Sequence, residues 1–221
     1  MPAVTVLAFL GGTGDQGRGL ARRLALAGHA VILGSRSPER AQTAADELLA
    51  TLPGDADVRG AANESAASDA EIAVVAVPYE GHRALLEALR APLAGKIVVD
   101  CVNPLGFDER GAFALEVGEG SAAEQAAALL PDSIVVAAFH HVSAVVLLDP
   151  QVDAVDTDVL VLGDDRAATD AVQALVDDIA GMRGIYAGRL RNARQVEALT
   201  ANLISVNRRY KAHAGLRVTD V

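Results

Sequence analysis

The chain has 221 residues, 51% of them hydrophobic and 22% charged, with a formal net charge of −10; it can bury a sizeable core, and its composition excludes a disordered chain. The acidic balance argues against nucleic acid as a partner, and no apolar run reaches the roughly 18 residues that a membrane helix needs. The start at Met1, Pro2 and Ala3 lacks the basic residues of a secretory leader, so a cytoplasmic protein is expected.

Residues 4–10 form a nearly continuous apolar run, the pattern of a strand buried on both faces. A glycine-rich loop covers 11–17, and a helix is predicted over 18–27, ended by Gly28. A second strand at 29–34 and a turn at 35–38 lead into an Ala-rich helix that reaches residue 52, broken by Pro53, Gly54 and Asp55. A short strand at 58–61 and a short helix at 65–70 precede a buried strand at 72–77, stopped by Pro78. Then follow a helix over 81–89, a strand over 96–101, a loop over 102–108, a helix over 121–130 and a strand over 133–138. A strand at 158–162, a helix at 166–180, an edge strand at 184–187 and a last helix at 190–214 complete the chain.

Strands alternate with helices nearly throughout. That pattern implies an α/β fold: a doubly wound, mostly parallel Rossmann-type sheet with a small C-terminal helical segment. Aromatics are only 3%, so Ala, Val and Leu must build the core, which suits parallel strands under Ala-rich helices. The one compositional boundary lies near residue 187. Residues 188–221 hold seven basic and two acidic side chains, a net of +5, which leaves −15 on residues 1–187. A basic tail on an acidic body points either to an anionic ligand near the tail or to packing against an acidic face.

The loop after the first strand contains G-x-G-x-x-G at Gly12, Gly14 and Gly17, with a strand before it and a helix after it. Gly12 permits a tight turn, Gly14 lets the backbone approach a pyrophosphate, and Gly17 lets the helix pack on the strand. Free amides at the helix start, with the helix dipole, then bind the anion. No Lys-Ser/Thr pair follows, so a nucleoside triphosphate loop of the Walker type is disfavoured.

The tip of the second strand selects the cofactor. NAD-binding versions carry a carboxylate there; this chain reads Gly34, Ser35, Arg36, Ser37, Pro38, Glu39, Arg40. Ser35 can donate to a ribose 2′-phosphate, Arg36 can pair with it and stack on adenine, and Arg40 lies one turn into the next helix. NADP is therefore expected over NAD, and residues 1–187 are read as an NADP-binding domain. Glu39 can instead pair with one of its arginine neighbours.

Ligands in doubly wound sheets sit beyond the carboxyl ends of the strands. Val77 and Pro78 are placed there as apolar contacts, Asn103 as a partner of the nicotinamide carboxamide or ribose, and the segment from Phe139 to Ala144 as a further wall. Short-chain dehydrogenases need Tyr-x-x-x-Lys, yet Arg83, Leu190 and Ala214 stand four residues after Tyr79, Tyr186 and Tyr210. An NADP enzyme with no obvious proton donor suggests hydride transfer to a carrier, since stacked rings need close placement and little acid–base help. His140 and His141, adjacent on an extended segment, point to opposite sides, so they are not expected to share a metal. One is expected in the core and one facing the site, with His140 the candidate for ligand contact or proton transfer. His29 is read as a turn residue, and His82 and His213 as structural or solvated. The single cysteine, Cys101, is read as a small buried residue.

Several segments together resemble the F420H2:NADP oxidoreductase family: Gly11-Gly12-Thr13-Gly14-x-x-Gly17, then Gly34-Ser35-Arg36, Val77-Pro78-Tyr79-Glu80, Ala138-Phe139-His140, and Tyr186-Ala187-Gly188-x-Leu190-x-Asn192-Ala193-Arg194-x-Val196-Glu197-x-Leu199-Thr200. The resemblance implies reversible hydride transfer between coenzyme F420, a deazaflavin, and NADP, in a homodimer. It places NADP on Thr13, Gly14, Asp15, Gln16, Ser35, Arg36 and Arg40, and the deazaflavin near His140, Val142 and Ser143. The chain departs from the family pattern at Ser37, where a second basic residue is common, and at Val142-Ser143, where Ile-Pro is common. Residues 188–221 are expected to contribute to the dimer and the deazaflavin site, and Arg208 and Arg209 to attract the carrier's phosphate and carboxylates. Two other readings are an NADP-dependent imine or ketone reductase and a non-catalytic NADP sensor. The first usually has a longer helical domain than the residues after 187 allow.

Overall fold

The computed structural model describes residues 4–221; the leader reading of Met1, Pro2 and Ala3 lies outside them. The apolar run opens as β1 (Val6–Leu10), followed by α1 (Asp15–Leu26), β2 (Ala30–Ser35), α2 (Pro38–Leu49), β3 (Val58–Ala62) and α3 (Asn63–Asp69). Then come β4 (Ile72–Val75), α4 (Tyr79–Leu93), β5 (Ile97–Asp100), a hairpin of β6 (Leu105–Asp108) and β7 (Gly111–Ala114), α5 (Ala122–Leu129) and β8 (Ile134–Ala137). The last third contains α6 (Ala144–Leu148), β9 (Thr157–Gly163), α7 (Arg166–Asp177), β10 (Met182–Gly188) and α8 (Ala193–Tyr210).

One sheet has the order β10-β9-β8-β5-β4-β1-β2-β3. From β3 to β8 every pair is parallel. β9 runs antiparallel to β8, and β10 parallel to β9. The strand order reverses between β1 and β4, which opens a crevice at the carboxyl ends of these strands. Successive side chains of each strand enter opposite cores: Leu7 and Phe9 of β1 pack with Leu20 and Leu24 of α1, while Ala8 and Leu10 pack in the layer of Ala66, Ala67 and Leu86. The small alanines let α3 lie close on the sheet. No helix among the described residues is long and apolar enough to cross a membrane.

Four elements differ from expectation. α1 starts at Asp15 rather than residue 18, because Gly14 in extended conformation is its N-cap, so Asp15, Gln16 and Gly17 belong to the first turn. The loop expected at 102–108 is half of a hairpin. Its turn is closed by Asp108, whose carboxylate accepts from the amides of Arg110 and Gly111 at 2.8 and 3.2 Å. Its strands are too short and glycine-interrupted to show period-two patterning. α6 lacks a side-chain cap and carries β-branched residues, so local propensity hides it. Finally, α8 ends at Tyr210 rather than at 214, with Lys211 left-handed at φ 52°. The following residues turn back along β9, where the Leu216 carbonyl accepts from the Asp158 amide at 2.8 Å.

Candidate active site

The glycine loop is packed from three sides. The Gly12 amide donates to both the Phe9 and Gly34 carbonyls at 3.0 Å. A Cβ on Gly12 would lie 2.5 Å from the Phe9 carbonyl oxygen, and one on Gly17 would lie 2.6 Å from the Gly12 Cα. Gly11 has φ +70°, and a Cβ there would meet Val77 at 2.1 Å, so Val77 is the floor under the loop. Asn63, at the start of α3, accepts from the Gly11 amide at 3.1 Å and ties the loop to the third strand. No reading of the sequence singled out Asn63; its only signal is a lone polar residue between an apolar strand and a helix. Gly14 differs from the other loop glycines: a Cβ there would meet nothing within 4 Å. Its backbone faces open space at the N-terminus of α1, where no side chain caps the helix. The first-turn amides have no intrahelical acceptors and point where an anion gains from the helix dipole. A pyrophosphate fits this cradle.

At the tip of β2, Ser35 is buried and its Oγ accepts from the Ser37 amide at 3.3 Å, so its hydroxyl proton remains to donate. Ser37 caps α2, with Pro38 at the first helical position. Ser37 Oγ also donates to Glu39 at 2.7 Å, a bond that holds the Glu39 carboxyl below the usual range. Glu39 therefore does not occupy its arginine neighbours. Arg36 and Arg40 are exposed, and neither has an ion-pair partner among the described residues. Two uncommitted guanidiniums beside a serine suit a phosphate monoester.

On the other side of the crevice, β8 runs into a turn in which Phe139 is left-handed, φ 63°, although its ring is fully buried. Only packing holds a large side chain in that region. The turn's carbonyls are bound by residues expected at the site. Gln16 Nε2 donates to the Phe139 carbonyl at 3.4 Å, and Asn103 Nδ2 to the His140 carbonyl at 2.7 Å. Thr200 Oγ1 of α8 lies 3.1 Å from the same His140 oxygen. Asn103 is thus a bracket between β5, β8 and α8, with one of its two amide protons committed to the His140 carbonyl.

Both histidines of the turn have little exposure, but His141 lines a cleft beyond β8 while His140 does not, so one faces a site and one the core, with His141 in the place expected of His140. His141 Nε2 accepts from the Leu160 amide at 3.3 Å, while neither nitrogen of His140 has a partner. Burial pulls His140 down to about 4, against the opposing charge of Asp100, and His141 likewise to about 4. Both rings are neutral near pH 7 and hold no imidazolium proton to donate. Cys101 is buried, its thiol donates to the Val75 carbonyl at 3.0 Å, and burial pushes its ionisation far up; it is no nucleophile.

A buried polar network lies beneath the Asn103 segment. His82, fully buried rather than solvated, bonds to Asp100 at 2.6 Å through Nε2 and to Gln125 Oε1 at 3.0 Å through Nδ1. Burial pushes its pKa down, but Asp100 and Gln125 outweigh that and raise it. Two acceptors on the two ring nitrogens describe an imidazolium. Asp100 also accepts from the Val102 amide at 3.0 Å, which fixes the backbone leading to Asn103. Nearby, Glu197 of α8 accepts from the amides of Ala122 and Ala123 at 3.0 and 3.1 Å, at the start of α5. Burial pushes Glu197 up to about 7 despite those two amides.

Beyond β8 a second cleft of about 300 Å³ is lined by His141, Val142, Ser143 and Val146 on one wall and by His213, Ala214 and Gly215 of the returning tail on the other. Val142 and Ser143 are the residues expected there; His140 is not in the lining, and its neighbour His141 is. The tail is clamped by Asp158, fully buried, which accepts from Arg183 and from the Val218 amide at 2.7 Å and pairs with Arg217 at 2.5 Å. Arg217 also contacts Asp156. Part of the tail's charge is thus packed on an acidic face, while Arg208 and Arg209 stay exposed.

With this geometry, comparison with known proteins is direct. The model of the family "NADP oxidoreductase coenzyme F420-dependent" matches residues 6–104. An F420-dependent NADP reductase of Methanothermobacter marburgensis is 42% identical over 97% of this chain and 98% of its own, and one of Methanocaldococcus jannaschii is 39% identical over the same shares. A crystal structure from Arthrobacter sp. FB24, described as a candidate F420-dependent NADP reductase, superposes with a TM-score of 0.82 at 30% identity, covering 98% of this chain and 100% of that one. A relative so similar over nearly its whole length, with the glycine loop and the basic strand tip in place, settles the matter: the chain belongs to the family of F420-dependent NADP reductases.

Proposed function

We propose that this protein transfers hydride reversibly between reduced coenzyme F420 and NADP. The observation that carries the reading is the pairing of an open glycine cradle at Gly14 with two unpaired arginines, Arg36 and Arg40, at the next strand tip. Bound together, the two carriers supply the chemistry themselves, hydride passing between C5 of the deazaflavin and C4 of the nicotinamide. The protein's task is placement. The amides of Thr13, Gly14, Asp15, Gln16 and Gly17 hold the pyrophosphate; Ser35, Arg36 and Arg40 hold the ribose phosphate. Val77 and Pro78 supply the apolar floor under the nicotinamide. Asn103, with one amide proton bound to the His140 carbonyl, offers its second amide proton, and Ala144 closes that wall. The deazaflavin enters the second cleft against Val142 and Ser143, with His141 as an added contact. His140 stands behind it as a neutral ring that shapes the turn rather than moving a proton. Neutral histidines and an inert thiol suit a reaction without acid–base steps.

Within this reading residues 1–187 form the NADP-binding domain, and residues 188–221 complete the deazaflavin cleft and the dimer. The protein works in the cytoplasm as a homodimer. The contact face is the outer side of the β6–β7 hairpin and α8, where Phe107, Phe113, Val206 and Tyr210 are exposed.

The deciding experiment mixes purified protein with NADPH and oxidised F420 and follows loss of the deazaflavin's visible absorbance. Turnover with F420 and none with F420 replaced by a cyclic imine is expected. Tight NADPH binding without turnover would leave a sensor instead.

A further inference from the structure

α1 carries more than the pyrophosphate amides. Gly19 and Arg23 lie four residues apart, hence on one face of that helix, and both meet the same short segment. A Cβ on Gly19 would sit 2.7 Å from Leu147 Cβ and 3.5 Å from the Ala144 carbonyl oxygen, so glycine alone admits α6 at this distance. Arg23 is 4% exposed, and its guanidinium faces main-chain oxygens only. Nε donates to the Leu147 carbonyl at 2.8 Å, Nη1 to Val152 at 2.6 Å, and Nη2 to Val146 and Asp149 at 2.7 and 3.1 Å. These are the orphan carbonyls at the end of α6 and in the loop after it. A cation taken out of water is costly to keep; here the charges of Asp149 and Asp153 offset part of that, and every hydrogen bond it makes goes to the main chain of one segment. That segment brings Ser143 and Val146 to the wall of the second cleft.

We propose that Gly19 and Arg23 are positioning residues that dock residues 144–152 on α1 and thereby set the shape of the second cleft, so that the helix whose first turn holds one carrier also fixes the wall against which the other is seated. This rests on the assignment of the deazaflavin to that cleft. The planar fork of arginine matters, because a lysine ammonium has three donors and cannot span carbonyls from Val146 to Val152.

The test uses Arg23→Gln, Arg23→Lys and Gly19→Ala. NADPH affinity is read by fluorescence titration, F420 affinity by quenching of its own fluorescence without turnover, KM and kcat in the steady state, and docking by hydrogen exchange over residues 144–152. For Arg23→Gln the expected result is an F420 Kd and KM raised about tenfold or more, as for a site displaced by a fraction of an ångström. NADPH Kd and kcat at saturation should change little, and exchange should be faster over 144–152. Arg23→Lys should fall between. Gly19→Ala should copy the effect, since its methyl meets the Leu147 Cβ. If F420 affinity is unchanged, or if both affinities fall together in proportion to a lowered Tm, the proposal is overturned. Should Arg23→Gln not fold, the lysine variant and Gly19→Ala give the same decision. If the unaltered protein neither binds nor reduces F420, the functional reading has failed, and the positioning role falls with it; turnover in the parent with unmoved variants sinks the positioning role alone.

Discussion

On the β1–β2 side of the crevice the surface offered to a ligand is mostly main chain, held by neighbours close in sequence: Gly12 bonded to Phe9, Gly17 against Gly12, Ser37 capping its own helix. On the β8 side the same end of the sheet is held by side chains from remote segments. Gln16 reaches across 123 residues to Phe139, Arg23 across 124 to Leu147, and Thr200 back across 60 to His140. The first side is largely a local motif, which Gly34, Asn63 and Val77 anchor to the sheet. The second exists only once the sheet has closed and α8 has docked. Binding the common carrier with a local device, and the rarer one with a tertiary device, lets the second cleft vary without disturbing the first.

The largest effects should come from breaking the local device at one atom. Gly14→Ala adds a methyl to open space at a backbone angle, φ −80°, that alanine accepts. The fold should keep its Tm while NADPH Kd rises by roughly two orders of magnitude, a loss of about 3 kcal/mol of charge-assisted contacts. Gly17→Ala instead drives a methyl to 2.6 Å from Gly12 Cα, so Tm should fall with an overpacking cost of about 1–3 kcal/mol. Equal effects on Tm from the two alanines would mean that Gly14 does not face a ligand.

Arg36→Glu comes next. A guanidinium with no internal partner can be reversed without unfolding anything, so NADPH Kd should rise by about 10–100-fold, the worth of a hydrogen-bonded ion pair, with NADH affinity nearly unchanged. Retained preference for NADPH over NADH in that variant would remove the strand tip from the phosphate site.

The contrast also explains what was legible in the sequence. The glycine loop, Ser35, Arg36 and Arg40 announce themselves by spacing, since a turn, a helix start and a strand tip are local geometry. The parallel order of β3 to β8 follows from alternation of strands and helices. Nothing local says that Asn63 holds Gly11, that Arg23 holds α6, or that Asp158 gathers Arg183 and Arg217. Each is an ordinary polar residue whose partner is chosen by tertiary folding. The two histidines misled for the same reason. Alternation along a strand puts neighbours on opposite faces, but β8 ends at Ala137 and Phe139 is left-handed, so alternation could not say which ring would face the cleft, and it is His141 rather than His140.

The tertiary device carries its own signature in pH. Glu197 lies above its ordinary 4.5, at about 7, so the folded chain keeps a proton that the unfolded chain releases. Its contribution is complete below about pH 4.5 and is lost as pH rises to about 7, and linkage over such a window amounts to about 2–3 kcal/mol. His82, raised by Asp100 and Gln125, acts in the same direction at higher pH. Stability from denaturant melts should therefore fall between pH 5 and pH 8, and Glu197→Gln should flatten most of that slope. A variant as steep as the parent would place the titration elsewhere.

The smallest effect expected is that of Arg208 and Arg209, in the last turn of α8 and exposed. Arg217 is already bound to Asp156 and Asp158 and Arg189 pairs with Asp164, whereas Arg208 and Arg209 have no ion pair among the described residues and can act at a distance on a carrier that bears phosphate and carboxylates. At that range the interaction is screened, since the Debye length is about 10 Å at 0.1 M salt and about 3 Å at 1 M. Reversing both to glutamate should raise the F420 KM by about two- to fivefold at low salt, mainly through a slower approach, and the difference should vanish near 1 M salt. A raised KM that persists at high salt would mean direct contact, and the tail would then join the cleft as a binding wall rather than a source of field.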